Sequence, residues 1–437
     1  MEALNKGKIY IAIDLKSFYA SCECSERNLD PFETNLVVAD PERSKATLCL
    51  AITPAMKKLG VKNRCRINEI PPDIKYITAP PRMQLYIDYS AKIYSIYLRY
   101  ISKEDIHVYS IDECFLDVTD YLTLYNVTAK EMAVMLMDAV MKETKITATA
   151  GIGTNLYLAK IAMDIVAKHV DDHIGMLDEI SYREKLWNHK PLSDFWRIGT
   201  RTEKKLANYG IYTMGDIACM SMSSEDWLYK MFGMDAELLI DHAWGMEPCQ
   251  MRDIKNYHST EHSLSNGQVL MRNYSFEEAL VIIKEMTDVL VLDLVEKQLI
   301  TDSVTIWVAY DHRSERPGVN GTVKFSMATN RSSLIIENTG RLFQSITDKH
   351  TPIRRLGVCA NHVVSEDYLQ YDLFSDPSEV EKEKNLQHAI SDIKHRFGKN
   401  AIMRGINLLP CSTYRERNAQ IGGHKAGQEV RYAGSYV

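Results

Sequence analysis

No stretch of this 437-residue chain approaches the ~18 consecutive apolar residues of a membrane span. The N-terminal apolar run, Ile9 to Ile13, is short and stops at Asp14, unlike a signal peptide, so a cytoplasmic location is expected. Cysteine is sparse. The nine are odd in number and irregularly spaced, which argues for reduced thiols over a disulfide framework, and Cys22-Glu-Cys24 reads as structural. His258-Ser-Thr-Glu-His262 fits an inverted zinc-peptidase pattern but has neither a third ligand nor a clear helix, so zinc is not expected there. The chain also lacks internal repeats and low-complexity segments. With 45% hydrophobic and 25% charged residues it has an ordinary globular composition, and its length implies three or more subdomains.

A surplus of positive charge is missing too. The net charge of −6 argues mildly against nucleic acid as a partner, yet local counts reverse the sign. Residues 40–82 hold nine Lys/Arg against four acids, and residues 311–361 hold eight against four. The most informative feature is acidic. Asp14 ends the run Tyr10-Ile-Ala-Ile-Asp14, and Asp112-Glu113 follows Tyr109-Ser-Ile. Each acid stands where a hydrophobic strand ends, an expensive place for negative charge unless a cation offsets it. Hard oxygen ligands with no histidine among them favour Mg²⁺, with Mn²⁺ as a substitute, and point to phosphoryl transfer. Two ions about 4 Å apart, sharing such carboxylates, would activate the attacking oxygen and steady the leaving one.

Periodicity and punctuation predict a strand over 8–13, a helix after Ser17, and a basic excursion over 25–82 with short strands and a helix over 54–59. A helix over 84–100, two strand-like runs within 106–118, a methionine-rich helix over 128–142, a strand over 147–152 and a helix to about Lys168 follow. This β, helix, ββ, helix, β order is a ferredoxin-like α+β layout. Residues 175–250 read as wholly helical and 251–268 as an irregular linker. A second α+β domain is expected from a helix over 276–297, strands over 303–310, 319–328 and 353–364, and a helix over 332–346. A helix over 378–397 comes next. Residues after about 405 read as a tail for partners or as disordered.

Asp14-Leu-Lys-Ser-Phe-Tyr-Ala-Ser-Cys-Glu23, together with Tyr109-Ser-Ile-Asp-Glu-Cys-Phe-Leu-Asp117, closely resembles the two signature blocks of the Y-family, or translesion, DNA polymerases of bacteria. The resemblance runs from about residue 8 to 400. It implies a multidomain α+β protein: a ferredoxin-like palm (1–19 and 83–174), small fingers (20–82), a helical thumb (175–250), the linker (251–268), a little finger (269–368) and a C-terminal tail (369–437). The implied activity is template-directed addition of dNTPs to a primer on primer-template DNA, in translesion synthesis, DNA repair and the SOS response.

The resemblance also implies roles. Asp14, Asp112 and Glu113 become the ligands of two metal ions, assisted by the Leu15 carbonyl. Tyr19 falls at the steric gate that excludes a 2′-hydroxyl, with Phe18 beside it. Lys160 matches a triphosphate contact, and Lys57 stands where many members place an arginine, while Pro54 replaces a tyrosine usual in relatives. Arg197-Ile-Gly199 to Gly210-Ile211 resembles a helix-hairpin-helix, whose backbone amides bind DNA phosphate without reading sequence. Arg354 and Arg355, with Arg331 near the start of the preceding helix, match the family's late DNA-backbone contacts. Gln370-Tyr-Asp-Leu373-Phe374 resembles a sliding-clamp motif anchored on Gln370, Leu373 and Phe374. A palm-fold nucleotidyl cyclase and a non-catalytic, clamp-bound DNA-binding scaffold are the rival readings.

Overall fold

A computed structural model describes residues 7–43, 46–259, 262–368 and 376–427. The chain forms two compact units, Met1–Pro80 with Leu85–Tyr257, and Pro81–Gln84 with His258–Val437.

The first unit is built on a five-stranded sheet in the order Ile106–Val108, Glu113–Asp117, Tyr10–Leu15, Ala148–Gly153, Ile174–Leu177. The first three junctions are antiparallel and the last is parallel. Tyr10–Leu15, at the centre, is buried on both faces apart from Asp14, so its unbroken apolar run is what that position demands. Four of these strands follow the expected ferredoxin-like layout. The fifth, Ile174–Leu177, opens the stretch read as wholly helical. Its four residues include a glycine and show no alternation, so nothing local marks them as a strand; pairing with Ala148–Gly153 does.

Helices of this unit begin at side-chain caps. Thr128 and Glu131 form a capping box for Ala129–Thr144, and Asn155 Oδ1 accepts from Leu158 N at 2.8 Å to start Leu156–Ile161. That helix does not run unchanged to Lys168. It widens into a π turn over Ala162–Val166 and then tightens to 3₁₀ over Ala167–His169. A separate three-stranded sheet, Ala51–Ile52, Leu36–Val38 and Ile77–Ala79, surrounds a small core of Val37, Ile52, Met56, Cys49 and Cys65. Helices Glu179–Leu186, Thr200–Ala207, Met214–Phe232 and Asp235–Trp244 share a core that includes Tyr182, Leu206, Ile217 and Leu228.

The second unit has a five-stranded antiparallel sheet: Val319–Thr329, Leu299–Tyr310, Ile353–Asn361 and Leu264–Tyr274 in that order, with Val364–Ser365 pairing to the start of Leu299–Tyr310. Its core joins inward residues such as Val304, Ile306 and Val308 to helices Phe276–Glu296 and Ser332–Ile346. Helix Pro377–Phe397 follows.

The stretch 251–268, expected to be irregular, is mostly ordered. Met251–Asn256 is a helix whose Met251 joins the core of Tyr10, Ala12 and Phe115 in the first unit, and a strand begins at Leu264. That strand is hard to read because Asn266 and Gln268 take its half-buried positions. Their amides are satisfied by residues far along the chain. Arg417 donates to Gln268 Oε1 at 3.0 Å and to Asn266 Oδ1 at 2.6 Å, and Thr413 Oγ1 meets Gln268 at 2.9 Å. The segment after 405, read as a tail for partners or as disordered, packs on this unit through its described residues: a 3₁₀ turn Gly405–Leu408, a helix Tyr414–Asn418 and a hairpin Gln420–Ile421/His424–Lys425. Buried Glu285 binds it from the long helix, accepting from Asn407 Nδ2 and Thr413 N, both at 3.3 Å. Among the described residues, no helix is long and apolar enough to cross a membrane.

Helix Phe276–Glu296 starts at a capping box, Ser275 with Glu278, and Arg272 bridges the same carboxylate at 2.6 and 2.9 Å. The Arg272 hydrogen bond is the main reason the Glu278 carboxyl is held down at about 2, with burial opposing it. Ser275→Ala is expected to cost about 1 kcal/mol in urea unfolding of this unit. Because Glu278 is more acidic folded than unfolded, its contribution is present above its ordinary carboxylate range and disappears as pH falls towards about 2. Glu278→Gln should therefore flatten the acid limb of the stability curve between roughly pH 4.5 and 2, as read by chemical denaturation at stepped pH.

Candidate active site

The central sheet gathers the acids. Asp14 pairs directly with Glu113 across the antiparallel junction, so both side chains leave the same face. Leu15 N donates to Asp112 O at 3.0 Å, tying the turn before Glu113–Asp117 to the end of the central strand. Leu15 itself is buried, with Ala148 as its partner in the next strand. Ser110 Oγ donates to Asp112 Oδ1 at 2.6 Å. The Asp14 carboxyl is pushed up to about 7, first by burial, then by the negative charges of Asp112 and Glu113, with Lys160 pulling the other way. At neutral pH this group is poised between ionised and neutral, and an added cation would hold it ionised.

Glu113 is buried, and burial raises its carboxyl against the pull of Lys160. Lys160 is buried as well, which differs from an open contact awaiting a triphosphate. Its Nζ donates to Glu113 Oε2 at 2.9 Å and lies 3.0–3.2 Å from the Asp164 carboxylate. Burial disfavours the ammonium, but Asp164 and Glu113 outweigh it and raise the lysine above its ordinary value. Two glycines set the depth of this contact. A Cβ on Gly151 would stand 2.1 Å from Ala159 O, and one on Gly153 would stand 2.2 Å from Ala159 N. Only bare backbone lets the Leu156–Ile161 helix lie so close to the strand that Lys160 reaches Glu113.

The donor chemistry suits a hard cation. Asp14 and Asp112 crowd negative charge at one strand end, and Glu113 Oε1, although 2.9 Å from Nζ, is a buried oxygen with no hydrogen bond directed at it. As the side chains stand, no three His, Cys, Asp or Glu among the described residues form a ready ligand cage. Glu113 faces Lys160, and Asp112 is engaged by Ser110.

Ser17, in the left-handed region at φ 50°, turns the chain from the central strand into helix Phe18–Glu26. Phe18 is buried, and its ring lies 5.8 Å from that of Tyr19 at 47°. Tyr19 is half-buried. Its hydroxyl is pushed up by burial and then by Asp112, with Arg64 opposing, which sets the phenol in the field of the acid site.

Cations line the same place. Lys57, reachable by solvent but surrounded by protein, is pushed down by that surrounding, with Asp14 opposing and Lys168 adding to the effect. Lys16 is pushed down by burial and then by Lys57. Lys16 lies within electrostatic reach of Asp14, Lys168 of Lys57 and Arg64 of Tyr19, cations that sequence reasoning did not single out for the site. Lys16 had a usable signal, standing two residues after Asp14. Arg64 and Lys168 carried none beyond the local basic excess, because folding alone brings them near.

The expected DNA-contact residues are distributed over both units. Gly199 caps helix Thr200–Ala207 with ordinary φ of −86°, and a Cβ there would meet nothing within 4 Å, so the space outside it is open. Arg331 precedes helix Ser332–Ile346 and its Nε lies 3.3 Å from Glu383. Arg354 and Arg355 stand between core residues Ile353 and Leu356, where both neighbouring strands shift register. Neither arginine has a carboxylate partner among the described residues. Two residues on, Gly357 faces Trp307 across the sheet, and a Cβ there would overlap the indole at 1.8 Å. Gln370, Leu373 and Phe374 lie outside the described residues.

Residues 13–164 match the impB/mucB/samB family, and residues 261–373 match the C-terminal domain of that family. The chain is 31% identical to DNA polymerase IV 2 of Bacillus subtilis (strain 168), over 96% of this chain and 99% of that protein. It is 28% identical to the putative UV-damage repair protein UvrX of the same bacterium, over 96% and 98% of the two chains. Its fold matches a solved Y-family DNA polymerase chimera with a TM-score of 0.60 and 21% identity, over 82% of this chain and 99% of that one.

Lys160 offers a direct check on the buried acid cluster. Lys160→Met should lower stability by about 3–5 kcal/mol, because it leaves a buried carboxylate without its cation. Adding Glu113→Gln should recover much of that loss, a coupling that a double-mutant cycle in urea unfolding measures.

Proposed function

The chain belongs to the Y-family DNA polymerases of the impB/mucB/samB type, and we propose that its acid cluster is the catalytic centre at which dNTPs are added to a primer in translesion synthesis. It is a DNA-directed DNA polymerase acting on primer-template DNA. The observation that supports the reading most is the pairing of Asp14 with Glu113 at the end of the central strand, with Asp112 beside them and Lys160 and Lys57 in the field of Asp14.

In this reading Asp14, Asp112, Glu113 and the Leu15 carbonyl hold Mg²⁺, two ions during turnover with Mn²⁺ as a substitute. Bound there, the metal would activate the primer hydroxyl for attack and offset the negative charge on the departing pyrophosphate. The chain's own residues bind and orient. Lys57, with Lys16 and Lys168, attracts the triphosphate, each as a point charge without the fork of an arginine. Lys160 fixes Glu113 and shares its charge with the incoming phosphates. Tyr19 lies beneath the sugar, with Phe18 packed at its side. Catalysis then rests on positioning and electrostatic stabilisation.

Gly199 and its helix start, with Arg331, Arg354 and Arg355, hold the DNA backbone without reading bases. Arg331 carries less of that grip because Glu383 already engages it. Gln370, Leu373 and Phe374 dock a sliding clamp. The cyclase reading leaves the second unit without a task, and the scaffold reading leaves the acid cluster without one.

Primer extension tests the centre. Asp112→Asn should abolish extension with Mg²⁺ and dNTPs while DNA affinity and the unfolding midpoint stay near wild type; extension at the wild-type rate would overturn the assignment. The grip is read from salt dependence. Arg354→Ala with Arg355→Ala should weaken binding to unrelated duplexes equally and reduce the slope of log K against log salt by about 2, as measured by fluorescence anisotropy.

A further inference from the structure

A steric gate works only if its ring is held. An aromatic side chain that is half exposed can change rotamer, and a displacement of about 1 Å at a positioning contact can cost on the order of a hundredfold. Tyr19 is such a side chain, and the structure shows what restrains it. The ring of Tyr86, from helix Met83–Tyr97, stacks on Tyr19 with centroids 4.5 Å apart and planes at 18°. Tyr86 is itself buried, and its hydroxyl donates to Glu23 Oε1 at 2.8 Å. Glu23 is fully buried on the same helix as Tyr19, one turn further on, and pairs with Arg27 one turn beyond that. Tyr86 therefore spans two positions on one face of helix Phe18–Glu26, its ring against the first and its hydroxyl on the second. Tyr89, one turn along the second helix, repeats the attachment by donating to Glu26 Oε1 at 2.7 Å.

We propose that Tyr86, anchored by the buried carboxylate of Glu23, is the positioning residue that fixes the ring of Tyr19 and so sets discrimination against ribonucleotides. The inference rests on the reading of Tyr19 as the gate. Glu23 is too deep to meet a nucleotide and acts only through Tyr86. A carboxylate buried at this depth is costly unless paired, and here its pairing places a second aromatic ring behind the first.

Single-nucleotide insertion of a dNTP and the matching rNTP, opposite the same template base, reads the effect as the ratio of their kcat/KM values. Tyr86→Ala should lower that ratio about tenfold or more by raising ribonucleotide insertion, a change that general damage to the fold does not produce. Tyr86→Phe, which keeps the ring but loses the anchor, should lower it less, and Glu23→Gln, whose amide oxygen still accepts from Tyr86, should leave it near the wild-type value. Tyr19→Ala is the control for the gate. If Tyr19→Ala lowers the ratio and Tyr86→Ala leaves it at the wild-type value, the positioning role is overturned while the gate survives. If Tyr19→Ala also leaves it unchanged, the gate reading fails and this inference falls with it. Should Tyr86→Ala lose both insertions together, Tyr86→Phe decides: a wild-type ratio overturns the proposal, and a lowered one supports it.

Discussion

Negative charge held at the end of a buried strand is the constraint around which the first unit is arranged. Asp14 emerges from an apolar strand beside Asp112 and opposite Glu113, where burial makes the charges of Asp14 and Glu113 costly. The fold answers in three ways. It presses a helix onto bare glycine backbone so that Lys160 reaches Glu113. It brings Lys57 into the field of Asp14, with Lys16 and Lys168 nearby. It also leaves one Glu113 oxygen without a hydrogen bond. That oxygen still lies 2.9 Å from the Lys160 ammonium, so acceptor capacity and positive charge stand side by side at the strand end.

The second unit obeys a different rule. Its sheet and helices share an apolar core, but polar groups close it. Asn266 and Gln268, half-buried on an outer strand, and Glu285, buried on the long helix, find their hydrogen-bond partners in the segment that carries Asn407, Thr413 and Arg417. Polar groups placed so specify which segment covers them more sharply than apolar ones would.

This division explains what could be read from the amino-acid sequence. The acids stood out because charge at the end of a hydrophobic strand has few innocent explanations, and Phe276–Glu296 because an uninterrupted apolar stripe behind Ser275 leaves little else to form. Ile174–Leu177 was invisible, since four residues acquire strand character only from a neighbour. The strand from Leu264 was hidden by its own amides, whose partners lie about 150 residues away. Lys160 was placed on its helix, but its ion pair with Glu113 was not legible, because the close approach depends on Gly151 and Gly153 in the preceding strand. Arg64 and Lys168 join the site only through tertiary proximity, which no local pattern encodes.

The C-terminal segment also bears on how portable the second unit is. The recognisable family region ends at residue 373, but the covering of the outer strand comes from residues 407–417. A chain shortened to the family boundary, or a chimera spliced there, would carry the whole sheet and both of its helices and still expose two strand amides and a buried carboxylate stripped of their partners. The folded unit is therefore longer than the matched family region, and moving this domain into another chain means moving its lining with it.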